Sequence, residues 1–438
     1  MGFSLQVKYY NTYVLKKIAD SSLSDRNWYI EEARIRGGYN NVQTGLSPRA
    51  FLVSENNAQE TLSNSIIYSG IFNSRTGINQ SNQFPSGEDI TRTVDPSKGS
   101  IQKLYAENTN LTIFQERKVN RALIDKDAIY TQEGVPMQTT SNVVIGAIQP
   151  YAGEFGISTN PESFAVYGYR KYFTDANQGS VLRLSQDGIT EISNYGMYDF
   201  FRDQLGVLSS GKAVGGYDIH NKCYTLSLQP ASASVPAQTL SFDESIKGWS
   251  SRYSYKPSNM FSVQNNFYST VTSAEKQEIH ASTGVQIGDI FQHYSNNVNR
   301  ANFYTTQYVS QIKSIFNANP SVIKTFQTIN YEGAPNWSMT SFVTNEDQAN
   351  SVAVFNMPLT LADMETSLLK NEFKQKEDKY FADLVNTSAF TQGEVVFGQS
   401  ISGVKGFFAT VLLEATNTAT SGTNELFAIS TNYKESSY

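Results

Sequence analysis

ESFAVYGYRKYFTDANQGSVLRLSQDGITEISNYGMYDFFRD, residues Glu162 to Asp203, decides the fold. Ser163 to Tyr167 and Lys171 to Thr174 are short runs rich in strand-favouring side chains, and Asp175 to Gly179 between them and the next run is turn-forming. Val181, Leu182 and Leu184 make the following strand, Gln186-Asp187-Gly188 a hairpin turn, and Ile189 with Ile192 the strand after it. The pattern predicts an antiparallel meander. A short helix is expected next, capped by Ser193 or Asn194, with Met197, Phe200, Phe201 and Leu205 on one face and its end at Gly206.

The same theme runs outward on both sides. Ile101 to Tyr105, Leu111 to Gln115 and Val119 to Ile124 read as a meander; Gly215 to Leu228 reads as a hairpin turning at Asn221-Lys222. Thr239 to Phe242, Gly248-Trp249, Phe261 to Val263, Asn266 to Tyr268 and Asp289 to His293 continue it, with polar loops at Ala231 to Gln238 and Val271 to Gly288. Repeated strand units without long helices predict a mainly β chain with an irregular, β-propeller-like domain over 46–315. From about Phe316 the pattern shifts. Strands at Val322 to Ile329, Ser338 to Val343, Glu394 to Phe397 and Gly406 to Glu414, with a helical, charged insertion near 359–378, predict a second β-rich domain over 316–438. Residues 1–45 read as an N-terminal arm. Tyr9, Tyr10, Tyr13, Trp28, Tyr29, Arg34 and Arg36 are its candidate assembly residues, because short aromatic stretches too small to close a core suit pairing with another chain.

Composition narrows the function. With 438 residues, 17% charged, 26 Tyr, 26 Phe and a net charge of −6, the chain has the balance of a β protein with weakly charged polar faces, and it has no Lys/Arg cluster of the kind a general nucleic-acid binder needs. One cysteine, Cys223, excludes an internal disulfide framework. The N-terminus lacks the order of a secretion signal, and no run of about 18 apolar residues offers a membrane span, so synthesis in a host cytoplasm without membrane insertion is expected. Chemistry-bearing patterns are sparse. His220 and Cys223 have the spacing of half a metal site with no second half; Asp175 and Asp187 are conceivable as paired carboxylates of a glycosidase but sit in turns that favour Asp. Ser185 to Thr190 is similar to the Asp-box of sialidase propellers, without its closing Trp and without a repeat. No catalytic residues, metal or cofactor are expected.

The segments NWYIEEARIRGGYNN (27–41), SGIFNSRTGIN (69–79), GSIQKLYAENTNLTIFQERKVNRALIDKDAIY (99–130), GEFGISTNPESFAVYGYRKYFTDANQGSVLRLSQDGITEISNYGMYDFFRD (153–203), TLSFDESIKGW (239–249) and GQSISGVKGFFA (398–409) resemble virion structural proteins of tailed bacteriophages. The group they resemble is the nozzle or muzzle type of tail protein of short-tailed, crAss-like and large marine phages. That resemblance implies a propeller-containing tail subunit without catalysis, repeated in a ring of six-fold symmetry, touching other tail proteins and, in passing, the genome as it leaves through the tail. The alternative is a tail propeller that binds or cleaves host surface glycans.

Overall fold

The computed structural model describes residues 12–17 and 28–34 and, with short gaps, 62–345, 354–355, 371–386, 401–416 and 424–435. The chain is mainly β and divides into two compact units, Met1–Thr270 and Val271–Tyr438.

The first unit is a succession of antiparallel meanders. Ile101–Glu107, Asn110–Gln115, Val119–Tyr130 and Pro136–Pro150 form the first four-stranded sheet. Ala165–Tyr167, Arg170–Asp175, Ser180–Ser185 and Gly188–Glu191 form the second, strand beside following strand, as the alternation of Tyr172, Val181, Leu182 and Leu184 with turn residues dictates. Its last hairpin closes through Gln186-Asp187, and Gly188 leaves the turn at φ 100°, a conformation glycine adopts without strain. Lys212–Asp218, Cys223–Gln229, Gln238–Asp243 and Gly248–Tyr253 form the third sheet, and Asn259–Val263 with Asn266–Thr270 a further hairpin. None of these sheets closes on itself as a barrel.

The sheets stack through apolar faces. Phe114 and Val119 of the first meander bury against Phe173, Leu182 and Leu184 of the second. Tyr172 and Val181 of the second bury with Tyr224, Leu226 and Phe242 of the third. Backbone approach is close here: a Cβ on Gly215 would lie 1.9 Å from the Ser163 carbonyl oxygen, so only glycine lets the third meander's first strand lie beside the second meander.

Helix α1, Tyr198–Gly206, follows the second meander and buries Phe201 and Leu205 in the same core, with Met197 and Phe200 half-buried against it. Neither expected cap serves it. The residue before the helix is Met197, without a side-chain cap; Ser193 Oγ instead accepts from Val181 N at 3.2 Å, and Asn194 Nδ2 donates to Glu191 at 2.7 Å.

The second unit is a sandwich of two five-stranded sheets. Val309–Phe316, Ala409–Thr416, Trp337–Thr344, Val354–Phe355 and Asn371–Glu372 make one; Lys374–Lys376, Lys379–Asp383, Lys324–Gly333, Val404–Gly406 and Leu426–Glu435 make the other. Alternate residues of the long strands, Phe326, Tyr331, Met339, Phe342, Val411 and Leu413 among them, fill a single core. Of the helix expected over 361–373, residues 361–370 lie outside the described residues, while Asn371–Glu372 is strand. The charged stretch after it is a hairpin: Lys374–Lys376 pairs with Lys379–Asp383 around Glu377, and its lysines are solvated because they stand on an outer strand. The strand expected at 394–397 lies outside the described residues.

Candidate functional site

The groups that chemistry would need are held in structural work. Asp175 is fully buried at the end of its strand, and its carboxylate accepts from Gly156 N and Ser158 Oγ, both at 2.8 Å, and from Asn177 N at 3.0 Å. Burial raises its pKa, and these hydrogen bonds act the other way. Asp187 is exposed and ion-paired to Arg183 at 2.8 Å. The strands separate the two: Asp175 pairs with Ser180 at one end of the hairpin, whereas Asp187 lies in the turn at the other. Cys223 is buried, which pushes its thiol up to about 12, while His220 is exposed beside Asn221. Among the described residues no three His, Cys, Asp or Glu side chains gather as metal ligands.

What the first unit does build is a distinct end. Lys171 is ion-paired with Glu107 and lies over the Tyr105 ring at 5.6 Å, which brings the second meander level with the 107–110 turn of the first. Glu244, in the turn between the last two strands of the third meander, accepts from Tyr172 Oη at 2.9 Å and pairs with Arg183 at 3.1 Å. The turns at 107–110, 167–170, 185–188, 218–223 and 243–248 therefore share one end of the stack. Tyr167 stacks on Tyr217 there at 4.1 Å, and Tyr169 and Ile246, 62% and 63% exposed, stand outward. Of its carboxylates Glu107, Asp187 and Glu244 are ion-paired, while Asp218 and Asp243 accept from the turn amides of His220 at 2.9 Å and Ser245 at 2.7 Å, and the exposed Arg170, Lys222 and Lys247 enter no ion pair among the described residues. The opposite end differs: Glu154 is paired there with both Lys98 and Lys118.

From the turn end rises a ribbon. The second strand of the first meander stops at Asn110, opposite Leu123, yet the third runs on to Tyr130 and pairs with Pro136 onward alone. Sequence reading ended that strand at Ile124 and missed its partner, because Asp125, Lys126 and Asp127 interrupt the apolar pattern.

Of the arm's candidates, Tyr9, Tyr10 and Arg36 lie outside the described residues. Tyr13, Trp28, Tyr29 and Arg34 fall in a hairpin of Thr12–Lys17 with Trp28–Arg34, where Tyr13 is opposite Ala33, Lys16 opposite Tyr29 and Thr12 opposite Arg34.

The second unit holds a hollow of about 400 Å³ lined by Phe291, His293, Tyr294, Arg300, Phe303 and Tyr304. Desolvation pushes the His293 imidazole down to about 4. Its folded pKa lies below the ordinary 6.5, so its contribution to stability is complete above pH 6.5 and is lost as pH falls toward 4. Melting curves at pH 7 and pH 4.5 are expected to show a larger loss for the native chain than for His293→Gln; equal losses would remove His293 from the acid response.

Among the described residues no helix is long and apolar enough to cross a membrane. No curated protein matches the chain. Solved structures of the exo-β-1,3-galactanase of Phanerochaete chrysosporium, one with galactose and one a variant with β-1,3-galactotriose, align over 84% of this chain and 100% of theirs at 9% identity, with a TM-score of 0.19, too low to bear on fold or activity. Family models are informative: residues 90–273 match the Crassvirus muzzle protein and residues 298–387 the Crassvirus muzzle protein C-terminal domain, together more than half of the chain. This chain belongs to the muzzle protein family of crAss-like phages and is a structural protein of the virion.

Proposed function

We infer that this protein is a non-enzymatic building block of the phage tail, in which copies of the chain form a ring that contributes to the conduit for genome ejection, with the meanders of its first unit as propeller blades. The match to muzzle models in both units carries this reading. The saturation of Asp175 by backbone and hydroxyl donors, and the distance in the fold between it and Asp187, support a role without catalysis. The arm, residues 1–45, supplies part of the contact between neighbours: a two-stranded hairpin is marginal alone and gains stability where it adds to another surface.

Mass photometry of the purified chain tests this. A discrete oligomer is expected, and deletion of residues 1–36 is expected to leave a folded monomer. An insoluble or unfolded product would place the arm in the subunit's own core.

A further inference from the structure

We propose that the hollow of the second unit binds a small ring compound that carries one carboxylate, with the Arg300 guanidinium as the anchor of the charge and the aromatic walls as the seat of the ring. Nothing in the assembly proposed above depends on it.

The charge of the hollow sets the sign and number of the ligand's charges. Among the described residues that line it, Arg300 is the single charged side chain; it is half-buried and enters no ion pair among the described residues. The acidic residue nearest to it in sequence, Asp289, is ion-paired with Lys276. Desolvation keeps His293 neutral near pH 7, so the described lining presents one positive charge. A guanidinium grips a carboxylate with two parallel N–H donors, and one carboxylate cancels its charge. A phosphate dianion would leave a net negative charge against aromatic walls, which burial penalises.

The walls set the body of the ligand. Phe291 and Tyr304 meet edge to face at 4.8 Å, and His293 lies 6.2 Å from Phe303 between ring centroids. A volume of about 400 Å³ with aromatic walls and few polar groups is the make-up of a small-molecule pocket.

The backbone is bent to build it. Asn302–Phe303 pairs with Thr306–Gln307, and the two residues between them, Tyr304 and Thr305, stand at φ 52° and 71°. A two-residue turn of this hand favours Asn-Gly, and Tyr followed by β-branched Thr is a poor choice for it. Tyr294 and Ala301, also in the lining, hold φ 61° and 56°. Turn chemistry does not account for Tyr304, whereas a ring needed in the wall of the hollow does, and strained residues of this kind cluster at ligand sites.

Ligand-observed NMR titration of the full chain tests the proposal, with glucuronate and phenylacetate as carboxylates, glucose and benzyl alcohol as their uncharged counterparts, and inorganic phosphate. At least one carboxylate is expected to saturate at about millimolar concentration, and its counterpart to bind about tenfold or more weakly. Tighter binding of glucuronate would identify an acidic sugar as the source of the carboxylate, and tighter binding of phenylacetate an aromatic acid. Arg300→Gln is expected to reduce each carboxylate to the affinity of its counterpart, and Arg300→Lys to keep part of the difference. The contrast between acid and counterpart is read on the native chain, so it stands whether or not Arg300→Gln folds. No saturation by either carboxylate, equal binding of acids and counterparts, or carboxylate binding unchanged in a folded Arg300→Gln chain would overturn the site. Phosphate that saturates below both carboxylates would overturn the ligand class.

Discussion

Phe201→Ala is expected to lower the stability of the first unit by about 3–5 kcal/mol, the usual cost of removing a buried Phe ring. The ring is fully buried, 4.5 Å from Trp249 and 5.2 Å from Phe200 between centroids, and it ties a helix of nine residues to two meanders. So short a helix has little stability of its own, and the contact that anchors it decides whether it forms. Trp249 is fixed in turn, since its indole N–H donates to the Ile192 carbonyl at 3.1 Å and cannot move in to fill the space. Phe200→Ala is expected to cost less, because that side chain is only half-buried. Chemical denaturation followed through Trp fluorescence measures both. Equal effects, or a Phe201→Ala loss below about 1 kcal/mol, would mean that the helix is not held this way.

Glu107→Ala is expected to be nearly as damaging, for an electrostatic reason. The Lys171 side chain is 4% exposed, and Glu107 is its only carboxylate partner among the described residues. Removing one member of a buried pair leaves an uncompensated charge, at about 3–5 kcal/mol; Glu107 keeps some contact with water, so the lower figure is expected. Replacing both, Glu107→Leu with Lys171→Met, is expected to stay within about 1 kcal/mol of the native chain, since the desolvation of both charges disappears with them. Urea midpoints for the three proteins decide it. A Glu107→Ala loss no larger than that of the double variant would show that water reaches Lys171.

The meanders were legible in the sequence because each is built from neighbours. Gln186-Asp187-Gly188 and Asn221-Lys222 fall where hairpins turn, and the apolar runs between them bury as strands. Local chemistry sufficed there. It failed where a residue's partner is remote. Ser193 and Asn194 have cap chemistry, but the Val181 amide and the Glu191 carboxylate engage them first, and the helix begins at Tyr198, after Met197, without a side-chain cap. The pairings of the sandwich carried no local signal: Val309–Phe316 lies on Ala409–Thr416, and Lys324–Gly333 on Leu426–Glu435. For the charges at the turn end the gap has the same origin. Cations were readable as residues, but not the fact that Arg183 and Lys171 are consumed by carboxylates while Arg170, Lys222 and Lys247 are not.

Those long pairings set a timetable for synthesis. Each meander of the first unit has its partner strands within a few tens of residues, so loop closure is inexpensive and a sheet can form soon after its last strand leaves the ribosome. The sandwich has no such option. Its Lys324–Gly333 strand finds one whole edge only when Leu426–Glu435 has been made, and Val309–Phe316 waits for Ala409–Thr416. At about 5–20 residues per second this is an interval of roughly 5–20 s in which apolar strands stand unpaired on a nascent chain. A polysome crowded with such chains is where premature association between copies is most probable, and slower translation across 316–409 would lengthen that exposure.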